Sequence, residues 1–252
     1  PDLAEAHNGL GVLLKSLGSL DEAEASQRRA IALENNYAKA HYDLGLVLLQ
    51  LGNLNQAADA FKASHTHDPT SYMSLFYLHA TYYQDLNIDL DAAIKCLDTA
   101  VKMAPTDGLI NFFLGVLLDY KGEEEKSKRY LSVVQEDMQE SNARLDSWNW
   151  VKSNSSQYPF LFWRKYDGFD YAVSMAQVDG LILEFGVAHG ESIRRLASMT
   201  EQVIHGFDSF EGLPESWAHL QKGAFNRDGN VPSAPNHVKF HVGLFDQTLP
   251  SF

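Results

Sequence analysis

Glu184, Gly186 and Gly190 form an E-x-G-x-x-x-G pattern at the end of a short apolar run, Leu181-Ile182-Leu183-Glu184-Phe185. These residue types in this order suit ligand binding. Glycines let the backbone turn closely around a bound molecule, and a carboxylate at the strand end orients that turn or reaches the ligand. Asp208 closes a second apolar run, Val203-Ile204-His205-Gly206-Phe207, and lies 24 residues after Glu184. That is close to the spacing at which an acidic residue on a neighbouring strand accepts hydrogen bonds from ribose hydroxyls. A dinucleotide fingerprint, G-x-G-x-x-G, would need glycines at positions 188 and 191, which hold Ala188 and Glu191. No G-x-x-x-x-G-K-[ST] occurs either, so a nucleoside triphosphate loop is unsupported.

Positioning these residues requires a strand, a glycine turn and a helix, repeated. Leu181 to Phe185 reads as a buried parallel strand, and Glu191 to Met199 shows helical spacing at Ile193, Leu196 and Ala197. A third strand is expected at Val238 to Val242, followed by Gly243-Leu244-Phe245-Asp246. Such an order begins a doubly wound sheet, which binds ligands at the carboxyl ends of its strands. His205 and His241 fall inside strand patterns and read as structural, and His189 as an exposed loop residue. For Trp217 and Phe225, in the connection before the third strand, packing and substrate contact are not separable.

The E-x-G-x-x-x-G pattern resembles the first motif of class I methyltransferases. Leu183-Glu184-Phe185-Gly186-Val187 with Gly190-Glu191-Ser192, then Phe207-Asp208-Ser209-Phe210-Glu211-Gly212-Leu213-Pro214, then Gly243-Leu244-Phe245-Asp246-Gln247-Thr248-Leu249-Pro250, together look like the macrocin O-methyltransferase family over residues 160–252. The resemblance implies S-adenosylmethionine as cofactor and methyl transfer to the hydroxyl of a small-molecule acceptor, often a sugar. It implies that Gly186 and Gly190 shape the cofactor turn, within a binding stretch that includes Phe185, Val187 and Glu191. Ser192 would donate to the methionine carboxylate, and Asp208, followed by Ser209, would accept from the ribose. Phe210 and Phe245 would flank the adenine, and Asp246 would read its amino group. Glu184 is either a water-mediated cofactor contact or an orienter of the turn. In the resembling family the first strand is central, flanked by the second and fourth. Here the third strand is the last, so the sequence reads as a fragment truncated at both ends, with one edge of Leu181 to Phe185 unpaired. Acceptor-binding residues, a general base and the ligands of a divalent metal such as Mg would lie outside it. The competing reading is a scaffold whose methyltransferase-like half is inert. A nicotinamide oxidoreductase is disfavoured by Ala188 and Glu191.

The first half of the chain repeats itself. Gly11 and Gly45 are 34 residues apart, and the same offset carries Ala4 to Ala38, Leu10 to Leu44, Gly18 to Gly52 and Ala23 to Ala57. A third copy runs through Leu78, Ala93, Leu97, Ala100 and Pro105, with about two extra residues expected in the turn near Leu86 to Leu90. A fourth has Leu114-Gly115, Gly122, Ser127 and Leu131. This period, with Leu44-Gly45, Gly52, Ala57, Phe61 and Pro69 at its phases, resembles the tetratricopeptide repeat. Each repeat would be a helical hairpin whose apolar face is buried only by stacking, leaving a concave groove. Asn8, Tyr42, Phe76 and Phe112 share one groove phase, with Leu49 and Tyr83 nearby. Chaperone-binding members of that family clamp a C-terminal carboxylate with Lys and Asn; the aromatic residues here do not support that activity. They either pack on a neighbouring element or bind a protein or peptide partner.

The expected architecture is therefore α + α/β. Repeats fill 1–135, an aromatic-rich connection 136–165, and the first half of a Rossmann-like doubly wound methyltransferase domain 166–252. In the connection Trp148, Trp150, Tyr158, Phe160, Phe162 and Trp163 read as a docking element that caps the last repeat or packs on the next domain, and Ser153 to Ser156 as a loop. Net charge is −13, with 33 acidic against 20 basic residues and no basic run, so a phosphate backbone would be repelled and nucleic acid is a poor partner. No run of eighteen apolar residues suggests a bilayer span. A lone cysteine, Cys96, in a helical pattern excludes an intramolecular disulfide and suits a reducing compartment, so a cytoplasmic location is expected.

Overall fold

A computed structural model describes residues 3–84, 87–135, 139–154, 161–176, 180–216 and 220–252. The chain divides into two compact units, Pro1–Trp163 and Arg164–Phe252.

The first unit is a stack of helical hairpins: α1 (Ala4–Ser16) with α2 (Leu20–Leu33), α3 (Ala38–Leu51) with α4 (Leu54–His67), α5 (Tyr72–Ala80) with α6 (Leu90–Met103), and α7 (Gly108–Tyr120) with α8 (Glu124–Gln135). Apolar residues one and two turns apart bury one face of each helix; in α7 these are Ile110, Leu114, Leu117 and Leu118. The hairpins close tightly because their crossing points lack side chains. A Cβ on Gly45 would meet the Phe61 ring at 2.6 Å, and one on Gly115 would meet Leu131 at 2.5 Å. The first helix of a hairpin stops on a left-handed glycine, as at Gly52 (φ 84°), after which the Asn53 N–H donates to the Leu48 carbonyl at 2.8 Å. Ser19 to Leu14 and Glu123 to Leu118 repeat that bond. Asp107 caps α7, accepting from the Leu109 and Ile110 N–H groups at 3.0 and 3.1 Å.

The third hairpin departs from the others. Its extra residues form a two-stranded antiparallel ribbon, β1 (Tyr83–Gln84) and β2 (Asn87–Ile88), between α5 and α6. Leu86 itself lies outside the described residues. A further helix, α9 (Gln139–Asn154), caps the stack. Its Trp148 indole N–H donates to Asp119 at 2.8 Å and its Lys152 ammonium donates to the same carboxylate at 3.0 Å. Trp148 is buried, whereas Trp150 is exposed, so the two tryptophans of this helix serve different faces. Tyr158 and Phe160 lie outside the described residues, as do Ser155 and Ser156.

The second unit begins with α10 (Lys165–Met175) and contains a three-stranded parallel sheet of β3 (Ile182–Phe185), β4 (Ile204–Asp208) and β5 (Val238–Val242), in the order β3-β4-β5. Leu183 pairs with His205 and Phe207 with His241. Helix α11 (Glu191–Ala197) joins β3 to β4, and a short α12 (Phe245–Thr248) follows β5. One sheet face packs on α11, with Ile193, Ile204, Val187, Phe210 and Val238 buried together. A Cβ on Gly206 would meet Ile193 at 2.6 Å and Val187 at 2.9 Å, so glycine at that point of β4 is what lets the helix sit down on the sheet. Among the described residues β3 pairs only with β4.

Candidate functional site

At the carboxyl ends of β3, β4 and β5 lies a cavity of about 760 Å³, bordered by Gly186, Asp208, Ser209, Phe245 and Asp246 from the sequence-derived set. Its volume falls inside the roughly 300–1,000 Å³ of small-molecule sites. Ala188, the Gly212-Leu213-Pro214-Glu215 corner, Ala224, Phe225, Gly243 and Leu244 complete the wall.

The turn after β3 is held by backbone geometry. Gly186 (φ 82°), Ala188 (φ 49°) and Gly190 (φ 76°) all adopt left-handed conformations, and Ala188 does so at a cost that glycine would not incur. Asp208 fixes the turn from the neighbouring strand. One of its carboxylate oxygens accepts the Ala188 N–H at 2.7 Å and the other accepts the Phe210 N–H at 2.8 Å. The carboxylate thus joins two loops while bordering the cavity, and its remaining lone pairs are available to hydroxyl donors.

Other members of the set stand elsewhere. The Ser192 hydroxyl donates to Glu184 at 2.8 Å, so the two expected contacts are joined to each other at the start of α11. Glu191 accepts from the Tyr166 hydroxyl at 3.2 Å. Val187 is core, and Gly190 caps α11 where a Cβ would meet Arg194 and Pro232 at 2.9 Å. Phe185 stacks on Phe207 and meets Phe245 edge-on on the sheet face opposite α11. The expectation that Phe210 flanks a base fails: it is fully buried against Phe240, because its left-handed backbone (φ 57°) swings the ring into the core. Phe225, also left-handed (φ 67°) and 57% exposed, supplies the aromatic wall instead. Its place follows from the loop's closure, in which the Gly223 N–H donates to the Leu213 carbonyl at 2.9 Å and the Leu213 N–H to the Ala224 carbonyl at 2.9 Å. Trp217 lies outside the described residues. His189 is exposed in the turn, as expected, and His205 and His241 meet ring nitrogen to ring nitrogen at 2.9 Å. Among the described residues no group of three or more His, Cys, Asp and Glu stands together as a metal site.

A second candidate surface lies in the repeat unit. Tyr42, Tyr77 and Phe61 form one aromatic group, and Phe76, Tyr77, His79, Tyr83 and Phe113 form another around Trp163. Phe76 and Tyr83 are buried, so these groove-phase aromatics pack within the unit. His79 escaped the sequence reading, although the signal was present: it stands 34 residues after Gly45, in the phase where the other repeats carry glycine. Its side chain is fully buried, and burial pushes its pKa down to about 4. Farther along the stack Asn8 donates to Asp43 at 3.1 Å; burial holds that carboxyl above its ordinary range, opposed by the Asn8 bond and by Lys15 and Lys39. Cys96 is half-buried and burial raises its thiol to about 11, so it behaves as a small apolar residue.

Two family descriptions match the chain: TPR repeat over residues 13–52 and tetratricopeptide repeat over 38–71. The chain therefore carries tetratricopeptide repeats. Among solved structures, the thermophilic TPR protein TTC0263 of Thermus thermophilus is 23% identical, with 59% of this chain and 82% of that one covered and a TM-score of 0.50. MamA from Desulfovibrio magneticus RS-1 is 22% identical over 54% of this chain and 75% of its own, at a TM-score of 0.48. YrrB, described as a TPR protein with an unusual peptide-binding site, is 20% identical over 60% of this chain and 78% of its own, also at 0.48. The likeness to TTC0263 is one of fold, a helical solenoid. No curated protein matches. Among the described residues no helix is long and apolar enough to cross a membrane.

Proposed function

We propose that this chain is a protein-interaction scaffold whose repeats engage a protein or peptide partner. The observation that supports it most is the match of consecutive repeats to the tetratricopeptide family, an architecture that exposes a continuous groove of helix faces. Affinity selection of displayed peptides on the intact chain, followed by anisotropy titration of the hits, tests this reading. Saturable binding weakened by Tyr42→Ala or Phe112→Ala supports it. A folded chain that selects no peptide above background sinks it.

The cavity at Asp208 favours a second activity in the same chain: binding of S-adenosylmethionine by the second unit. Gly186 would bring backbone against the ligand, Asp208 would accept from the ribose hydroxyls, and Phe225 and Phe245 would flank the base, with Asp246 beside its amino group. Bound there, the cofactor supplies an activated methyl group for displacement by an acceptor hydroxyl, a reaction favoured chiefly by positioning and by removal of the hydroxyl proton. A small-molecule acceptor fits that reading. Calorimetric titration of S-adenosylmethionine, with NAD as comparator and Asp208→Ala and Gly186→Val as site controls, is the test. One-site binding lost in both variants supports it, whereas absence of heat from the folded chain leaves the interaction scaffold alone.

A further inference from the structure

Trp163 lies outside any helix or strand, at the end of the first unit, yet five rings surround it. Its centroid is 5.0 Å from His79, 5.4 Å from Phe113, 6.0 Å from Phe76, 6.1 Å from Tyr83 and 6.3 Å from Tyr77. Several of these contacts are edge-on, at 85° to His79, 89° to Tyr77 and 70° to Phe76, the geometry that aromatic quadrupoles favour. Phe76 and Tyr83 are groove-phase residues of the third repeat, and Phe113 comes from the first helix of the fourth. Leu161, two residues earlier, packs against the same core. A non-helical segment thus lays two apolar side chains into the groove of its own repeats, which is how a peptide partner would bind.

The lining departs from the repeat pattern where the indole sits. Gly11, Gly45 and Gly115 occupy the hairpin crossing in the other repeats, but the third places His79 there. The imidazole Nδ1 contacts the Phe76 carbonyl, and among the described residues Nε2 is buried without a hydrogen-bond partner. A glycine would spare that unsatisfied nitrogen. The imidazole instead presents a ring to the indole. That ring, packed on Phe76, Tyr83 and Phe113, completes a wall against which a planar aromatic side chain lies.

From this we infer that the groove between α5 and α7 is a recognition site for a tryptophan in a short non-helical peptide segment, held in cis by Leu161–Trp163, so that a tryptophan-bearing partner competes with the chain's own segment. The inference rests on the reading of the repeats as an interaction module and names its ligand class. Tethering gives the resident segment an effective concentration on the order of millimolar, so a free peptide meets a strong competitor.

The probe is a fluorescein-labelled peptide of residues 159–165, PFLFWRK, titrated against the intact chain and against its Trp163→Ala variant. Binding at least tenfold tighter to the variant, and lost when the peptide's tryptophan is alanine, is the expected result. Equal binding to both chains, or equal binding of the alanine peptide, overturns the proposal. Hydrogen–deuterium exchange on the unsubstituted chain decides the matter should the variant not fold. Millimolar peptide is expected to raise uptake at 161–163 by displacing the segment, and unchanged uptake overturns the proposal. A selected peptide that binds both chains alike through Tyr42 would keep the interaction reading and discard this one.

Discussion

The hairpin crossings of the first unit and the cavity turn of the second use glycine and aromatic residues for opposite ends. At the crossings, glycine removes volume: Gly45 and Gly115 stand where any Cβ would collide with a ring or a leucine of the partner helix. In the second unit, Gly186 supplies backbone conformation, since nothing lies within 4 Å of a Cβ there and its φ of 82° is what matters. The aromatics follow suit. Phe61 and Phe76 fill the solenoid core, while Phe225 and Phe245 are left exposed at the rim of a cavity. The lesson is that the hairpin crossings are specified by side-chain volume and the cavity turn by backbone geometry. Mutations should therefore report through stability in one and through ligand affinity in the other.

The sharpest way to break that contrast is Phe61→Ala. Phe61 is fully buried between two helices, so its truncation should cost about 3–5 kcal/mol in chemical denaturation. S-adenosylmethionine titration of the variant below its melting point should be unchanged if the division of labour is right. Next is a pH effect confined to the repeats. His79 stays neutral in the folded chain because burial lowers its pKa from 6.5 to about 4, whereas the unfolded chain takes up that proton below 6.5. Stability should therefore fall as pH drops from 6.5 and level off below about 4, with a loss of up to roughly 3 kcal/mol. His79→Phe should flatten that part of a denaturation series, and an unchanged slope would assign the effect to other groups.

Asp208→Ala should act mainly through affinity. Loss of the carboxylate removes the acceptors for the Ala188 and Phe210 N–H groups, and under the proposed second activity S-adenosylmethionine affinity should drop tenfold or more, about 1.4 kcal/mol. The melting of the repeat unit should not move. The smallest effect belongs to a helix end. Asp107→Ala removes two cap bonds of α7 and should destabilise by about 1 kcal/mol. Glycine in its place should cost less, because it tolerates the cap conformation.

The repeats were legible because their signal is redundant. All four copies carry the same small and apolar phases and three of them the glycine phases, and each hairpin's closure depends on local spacing. The strand, turn and helix of the second unit were legible for a related reason, since alternating and continuous apolar runs mark them without knowledge of contacts. Phe210 and Phe225 show where that legibility ends. Both precede or sit within a loop of left-handed residues, and only the loop's closure decides which ring faces the core. Ser192 and Glu184 are similar: their types and spacing do not show that the fold brings them 2.8 Å apart.

By itself, then, the amino-acid sequence determined the hairpin period, the places of the three strands and the carboxylate that closes the second of them, because each is set by neighbours a few residues away. Tertiary structure alone decided that Trp163 lies among Phe76, His79 and Phe113, far back along the chain. It alone decided, too, which residues between Glu184 and Asp208 meet the cavity. The physical reason is the same in both cases. A side chain's direction depends on backbone angles summed over an irregular segment, and no local pattern of residue types records that sum.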